Sequence, residues 1–284
     1  GVWLMMEGPE DDNVPLDYST DWQFFNPRAG MSFRWSERHR AFLSAAVGHR
    51  EPGRADIKEN IKNAWLTDVP DVALKPEKML DVEFGYSFQS EKVCASVNVY
   101  LMEYWDMLLE TGKLSNVGYA IKENVDRGWR RGLELCASYE PLKWLRADAN
   151  ITLSSNKIRD YKEYVQNVDT YDNWAMTGRT TMYEYGNSTM LMSPSVTGMM
   201  KLTFIPWKKA AVSIDGKYVG MQYLDNTMTL SRSIPSYFVS NLSVSHTFDL
   251  NRGSLGLALY VNNLFNNMYY ADGWCWKNII EEDG

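Results

Sequence analysis

The side chains best able to do chemistry are few and far apart. His39, His49 and His246 sit in three separate predicted strands, and nothing places a serine or cysteine beside any of them. Cys94, Cys136 and Cys275 are too few and too scattered for a disulfide framework or a zinc site. Cys94 and Cys136 fall on the polar faces of consecutive predicted strands and are expected as unpaired small side chains, with a contact between them as the alternative. There is no Walker loop, Rossmann glycine pattern, HExxH or CxxC. Asp81 and Glu83 have the residue types of a glycosidase pair, but two-residue spacing on a strand arises often by chance. No catalytic residue, metal site or cofactor is expected. Recognition is the better prospect: Tyr161, Tyr164, Tyr171, Trp174, Tyr183 and Tyr185 crowd one long segment, with Arg159 and Arg179 nearby. Aromatic faces and guanidinium groups suit flat, anionic ligands through stacking and charge. The same residues equally suit an ordered loop with a small core of its own. The candidate ligand-binding residues are Arg159, Tyr171, Trp174, Arg179, Tyr183 and Tyr185.

Composition narrows the classes. With 284 residues there is ample material for a core, and hydrophobic residues make up 45%. Mean hydropathy is nevertheless −0.39, and no run approaches the roughly 18 to 20 apolar residues of a membrane-spanning helix. A net charge of −7 with a pI near 5.1 argues against a nucleic-acid partner. The opening Gly1-Val2-Trp3-Leu4-Met5-Met6 lacks the charged start of a signal peptide and reads as the inside of a strand.

The elements that must carry these residues are strands. Side chains of a strand alternate between faces, and apolar and polar residues alternate here over long stretches. Leu242, Val244 and Phe248 share a face against Asn241, Ser243, Ser245 and Thr247, with His246 interrupting the apolar row. His246 is expected at a rim or facing a neighbour rather than as a ligand. After Asp249-Leu250-Asn251-Arg252-Gly253, Leu255, Leu257, Leu259 and Val261 resume the pattern. Upstream, Met31 and Phe33, then Val82, Phe84 and Tyr86, then Val93 to Leu101, Leu133 to Tyr139, Leu145 to Leu153, Met200 to Phe204 and Val212 to Tyr218 behave alike. Short turns alternate strictly with long connections, the longest from about Asn156 to Ser193, so short turns gather at one end of the strands and loops at the other. Arg50 to Lys75 is too rich in charge and proline for a central strand. The strands look long enough to cross a bilayer, which needs about nine to eleven tilted residues. Aromatics band at both ends, with Phe33, Trp35, Phe88, Tyr139, Trp144, Phe204, Trp207 and Phe248 near the short turns. Tyr104, Trp105, Trp129, Tyr218, Tyr223, Tyr237, Phe238 and Phe265 lie toward the loops. The fold expected is all-β, an antiparallel up-and-down transmembrane β-barrel, with about ten or eleven strands present.

Several segments resemble the TonB-dependent receptors of the bacterial outer membrane. The strongest is Leu259-Tyr260-Val261-Asn262-Asn263-Leu264-Phe265-Asn266 followed by Tyr269-Tyr270, which is similar to that family's late-barrel strand and loop. Lys217 to Asn226, His49-Arg50-Glu51-Pro52 with Arg54 and Asp56, and Lys75-Pro76-Glu77 running into Glu83-Phe84-Gly85-Tyr86 are similar too. The resemblance implies a 22-stranded barrel plugged by an N-terminal domain, residing in the outer membrane of a Gram-negative cell. It implies uptake of a ferric siderophore or similar scarce nutrient, driven by the TonB complex acting through the plug. Against that plan, residues 1–284 are expected to be the C-terminal part of the barrel, with the plug and final strand absent and the remainder of the barrel and outer-membrane lipid as partners. The competing expectation is a soluble secreted β-protein binding carbohydrate through its aromatic loops. A barrel enzyme is disfavoured because no catalytic cluster is found.

Overall fold

The computed structural model describes residues 2–6, 18–67, 73–114, 120–169 and 175–281. In chain order the elements are β1 (Val2–Met6), β2 (Tyr18–Trp22), β3 (Arg28–Ser36), β4 (His39–Arg50), α1 (Arg54–Thr67), β5 (Glu77–Gln89), β6 (Val93–Leu114), β7 (Ala120–Leu142) and β8 (Leu145–Ile158). There follow β9 (Lys162–Asp169), β10 (Ala175–Glu184), β11 (Ser188–Thr189), β12 (Val196–Phe204), β13 (Ala210–Val219), β14 (Gln222–Tyr223), β15 (Ser233–Ile234), β16 (Tyr237–Leu250), β17 (Gly253–Val261) and β18 (Asn278–Glu281). One sheet dominates, ordered β17-β16-β13-β12-β8-β7-β6-β5-β4-β3, with β11 joining β8. Neighbours in that path are antiparallel, as an up-and-down wall requires.

Register turns the alternation in sequence into continuous rows. Met31, Leu43, Phe84, Val99, Leu133, Leu153 and Val196 stand side by side across seven strands. Leu145, Phe204, Val212, Val244 and Leu259 make a second row on the same face. The other face carries Ser32, Phe42, Gly85, Asn98, Glu134, Thr152 and Thr197, with the Asn98 amide donating to Glu134 at 3.3 Å. A one-residue slip would swap the two faces entirely, so the rows fix the register.

The apolar face meets no second protein layer among the described residues: Phe84 is 48% exposed and Leu257 56%. Such a contiguous apolar surface is not tolerated in water and fits hydrocarbon. Its height agrees, since the apolar stretch of β6 from Val93 to Leu101 is about 30 Å along the strand. At a barrel tilt this gives roughly 23 Å, close to the apolar band of outer-membrane barrels.

Both borders of the band are marked. At the short-turn end Phe33 stacks on Trp35 (5.9 Å), Trp35 on His39 (5.6 Å) and Tyr86 (5.8 Å), and His39 Nδ1 lies 2.8 Å from the Tyr86 hydroxyl. At the loop end the outward face turns charged: Lys78 and Arg127 approach the Trp105 ring at 5.4 and 5.9 Å, and Arg131 lies 5.1 Å from the Trp129 ring. Aromatic bodies with polar or cationic companions suit a membrane interface.

The loop side holds more regular structure than the sequence indicates. The 156–193 segment contains the β9–β10 hairpin and β11 rather than irregular chain. β6 (22 residues) and β7 (23 residues) run past the band as a paired ribbon. The described residues of the 50–75 connection form α1, whose Ile57 and Ile61, one turn apart, pack with Leu74 and Leu108. No helix of the described residues is long and apolar enough to cross a membrane, which says nothing of strands.

Candidate functional site

On the loop side, β9 lies along the β6–β7 ribbon. The approach is close at Gly112, whose φ is 85° and where a side chain would overlap the Tyr164 carbonyl. Lys113 next to it reaches over the Tyr164 ring at 4.2 Å and pairs with Glu123, which also accepts from Thr111 Oγ1 at 2.9 Å. Below the hairpin, Met107, Ile158, Tyr161 and Met190 form a small core with Tyr104, Leu109, Val125 and Tyr185 around it. Tyr161 is therefore a core residue. Its hydroxyl donates to the Glu110 carbonyl at 3.3 Å, and burial pushes the phenol up to about 12.

The sequence-predicted binding residues divide. Tyr183, near the end of β10, and Tyr185, just beyond it, come together at Glu163: Tyr183 pairs with it in register and the Tyr185 hydroxyl donates to its Oε2 at 3.2 Å. Burial raises the Tyr185 phenol as well. These two tyrosines line a cleft of about 440 Å³ with Glu163, Arg232, Trp276 and Lys277. Arg159 is elsewhere. It faces a separate hollow of about 310 Å³ beside Lys162, Tyr164 and Lys75, and pairs with Asp160 at 3.4 Å. Arg179 is exposed and engaged with a neighbour. Tyr171 and Trp174 lie outside the described residues.

The cations of the cleft come from residues that sequence reasoning passed over. Arg232 donates through Nε to Asp225 Oδ2 at 2.6 Å and through Nη2 to Thr227 and Thr229. Lys277 lies 3.0 Å from the same carboxylate and also contacts Glu163, whose side chain is 5% exposed. Two acids and two bases thus cancel, and three chain segments more than 40 residues apart are tied together. Beside this network β18 adds to β9 as a parallel strand, Asn278 against Gln166 through Glu281 against Asp169. With its cations already paired, the cleft offers ring surface: Tyr183 is 45% and Trp276 60% exposed. It can stack on a flat or apolar group more readily than it can neutralise a free anion.

The family-like segments fold into the joints of this assembly. Asn226 accepts the Leu191 amide on Oδ1 at 2.7 Å and takes the Ser188 hydroxyl on its carbonyl. At the top of β17, Asn263 donates to the Asn267 carbonyl at 2.9 Å and accepts the Asn267 amide at 3.0 Å, while Tyr237 stacks on Tyr269 at 4.6 Å. The side chains carrying the resemblance are thus loop-fixing groups.

The family model described as TonB dependent receptor-like, beta-barrel, matches residues 8–264. Among proteins with curated functions, no sequence matches. Solved structures match in fold. The ferric-catecholate import receptor Fiu from K12 E. coli superposes with a TM-score of 0.60 at 15% identity, covering 89% of this chain and 32% of that one. The copper transporter OprC gives 0.63 at 15% identity, covering 85% and 33%. The siderophore receptor PiuA from Acinetobacter baumannii gives 0.62 at 16% identity, covering 86% and 32%. The chain spans about one third of the length of these structures. The extent of the family match, together with the lipid-type face and the meander, places this chain in the TonB-dependent receptor β-barrel family.

Proposed function

We propose that this chain is part of the wall of an outer-membrane receptor that imports a scarce nutrient with energy delivered by the TonB complex, with a ferric siderophore as the first cargo to test. The observation that carries the reading is the pairing of a ten-strand lipid-type wall with a folded loop assembly whose cleft presents Tyr183 and Trp276. Rings on a rigid scaffold are what recognition of a flat metal chelate requires, and function concentrates on such loops. Within the cap, Tyr183 is the residue assigned to direct contact. Tyr185 positions Glu163, and Arg159 and Arg179 serve the neighbouring rim.

The sheet edges bear on what else the receptor must contain. β3 and β17 have no further strand beside them among the described residues, and an open edge in hydrocarbon leaves backbone groups unsatisfied at several kcal/mol each. The proposed receptor therefore includes further strands that complete the wall and a plug, beyond the described residues, that couples to the TonB complex.

The deciding experiment is uptake of radiolabelled iron by cells whose only siderophore receptor is the full-length protein. Catecholate, citrate and hydroxamate chelates are compared, with the TonB system intact or deleted. Uptake of one chelate that disappears without TonB is expected. Uptake indifferent to TonB, or none with any chelate, copper complex or haem, contradicts the reading.

A further inference from the structure

Five short turns join the strands at the end away from the loop cap, and their charge is uneven. The first two are balanced internally, Glu37 with Arg38 and Glu91 with Lys92. In the next three, which follow one another in the sheet, every acid is already matched. Glu140 pairs with Arg146 at 3.4 Å, and Asp249 pairs with Lys209. Lys143, Lys208 and Arg252 are left exposed, one on each turn, with no carboxylate partner among the described residues.

Directly beside these cations the apolar face carries a strip of rings in two adjoining groups. Trp144 meets Phe204 edge-on at 5.2 Å, Trp207 meets His246 at 6.1 Å, and His246 meets Phe248 at 4.3 Å. Trp207 is 63% exposed. His246 stands in register between Ala210 and Leu257, and its Nδ1 has no hydrogen-bond partner. Successive hairpins are two strand spacings apart, about 10 Å, so the three cations form a row along the lower rim of the strip. Interface-seeking rings with unpaired cations just beyond them are complementary to a lipid with acyl chains against the strip and a negative headgroup at the turns.

We propose that Lys143, Lys208 and Arg252, under the Trp144–Phe204–Trp207–His246–Phe248 strip, form a binding strip for anionic phospholipid in the leaflet that faces the short turns. The first two turns, being charge-balanced, do not share it. Each cation near the surface favours an anionic over a zwitterionic headgroup by about fivefold. The inference rests on the membrane-spanning reading above.

The test extracts the full-length protein from its membrane in styrene–maleic acid discs and quantifies lipids retained after partial delipidation. Phosphatidylglycerol plus cardiolipin, relative to phosphatidylethanolamine, should exceed the bulk-membrane ratio by about fivefold. The ratio should fall to bulk in the Lys143→Gln/Lys208→Gln/Arg252→Gln variant and stay high in Arg38→Gln. Enrichment in the wild type should also collapse when the wash contains about 1 M salt, where charges are screened beyond about 3 Å. That measurement stands even if the triple variant fails to fold. A wild-type ratio equal to bulk, or one unmoved by both the substitutions and salt, overturns the lipid strip alone. Failure of the protein to enter discs at all overturns the membrane reading and the strip with it.

Discussion

The Phe42 ring lies across Gly85 of the adjoining strand, directly opposite it in register, and fills the space that a side chain at Gly85 would take. Tyr100 covers Gly132 in the same way on the same inner face, also as a register pair. An aromatic ring laid over a cross-strand glycine shields backbone and pins register. Gly85→Val should therefore destabilise the wall by about 1–3 kcal/mol, the range for overpacking. Gly85→Val combined with Phe42→Ala should recover much of the loss. The check is the folded fraction in urea, read by heat-modifiable gel migration. Equal stability of Gly85→Val and wild type would count against the packing described.

The loop core should respond to alkaline pH through Tyr161. Its neutral phenol is the form held in the fold, with the folded value raised to about 12 against about 10 in an open loop. The contribution is intact below pH 10 and is lost as pH rises from 10 to 12, about 3 kcal/mol in all. Hydrogen exchange of residues 158–190 should accelerate across that window in the wild type. In Tyr161→Phe, which has no proton to lose, exchange at residues 158–190 should lack the component due to Tyr161.

Lys277 should hold the β18 segment in place. Its ammonium contacts Glu163 and Asp225, so Lys277→Met leaves two carboxylates facing each other in a poorly solvated site. Breaking one partner of such a cluster costs about 3 kcal/mol. Protection of Asn278–Glu281 and of the adjoining β9 edge should fall together. Loss confined to the substituted residue would mean that β18 docks on backbone pairing alone.

A charge should be tolerated on one face of β6 and not on the other. Val99 belongs to the apolar row, and its neighbour Asn98 faces Glu134. Val99→Arg should cost about 2–4 kcal/mol, the cost of a basic side chain at the bilayer midplane, and Asn98→Arg much less. Comparable losses would remove the distinction between lipid and lumen.

The wall was readable in the residues because each strand repeats one rule: a side chain in each two meets hydrocarbon. Met31, Phe84, Val99 and Leu257 declare their face without reference to any neighbour. The short turns were legible for the same reason, as Pro206-Trp207-Lys208-Lys209 interrupts two alternating runs. The loop assembly obeys no such local rule. Asp225, Arg232, Glu163 and Lys277 are joined across large sequence separations, and no periodicity marks a residue that will meet a charge from another loop. Aromatic crowding singles out Tyr161, Tyr183 and Tyr185 alike, and crowding alone does not distinguish Tyr183, half exposed in the cleft, from Tyr161, buried beneath it. Arg159 shares their segment but turns to a different hollow, since it lies in the bend between β8 and β9 and not in the hairpin itself.

The most direct measurement is spin-label accessibility at two adjacent positions of β6, in full-length protein reconstituted into bilayers with Cys94, Cys136 and Cys275 replaced by serine. A label at Val99→Cys should collide with dissolved oxygen and be shielded from a water-soluble nickel chelate. A label at Asn98→Cys should not share that lipid signature. Ready access of the chelate to position 99 would contradict a membrane-spanning wall, and with it the uptake function built on that wall.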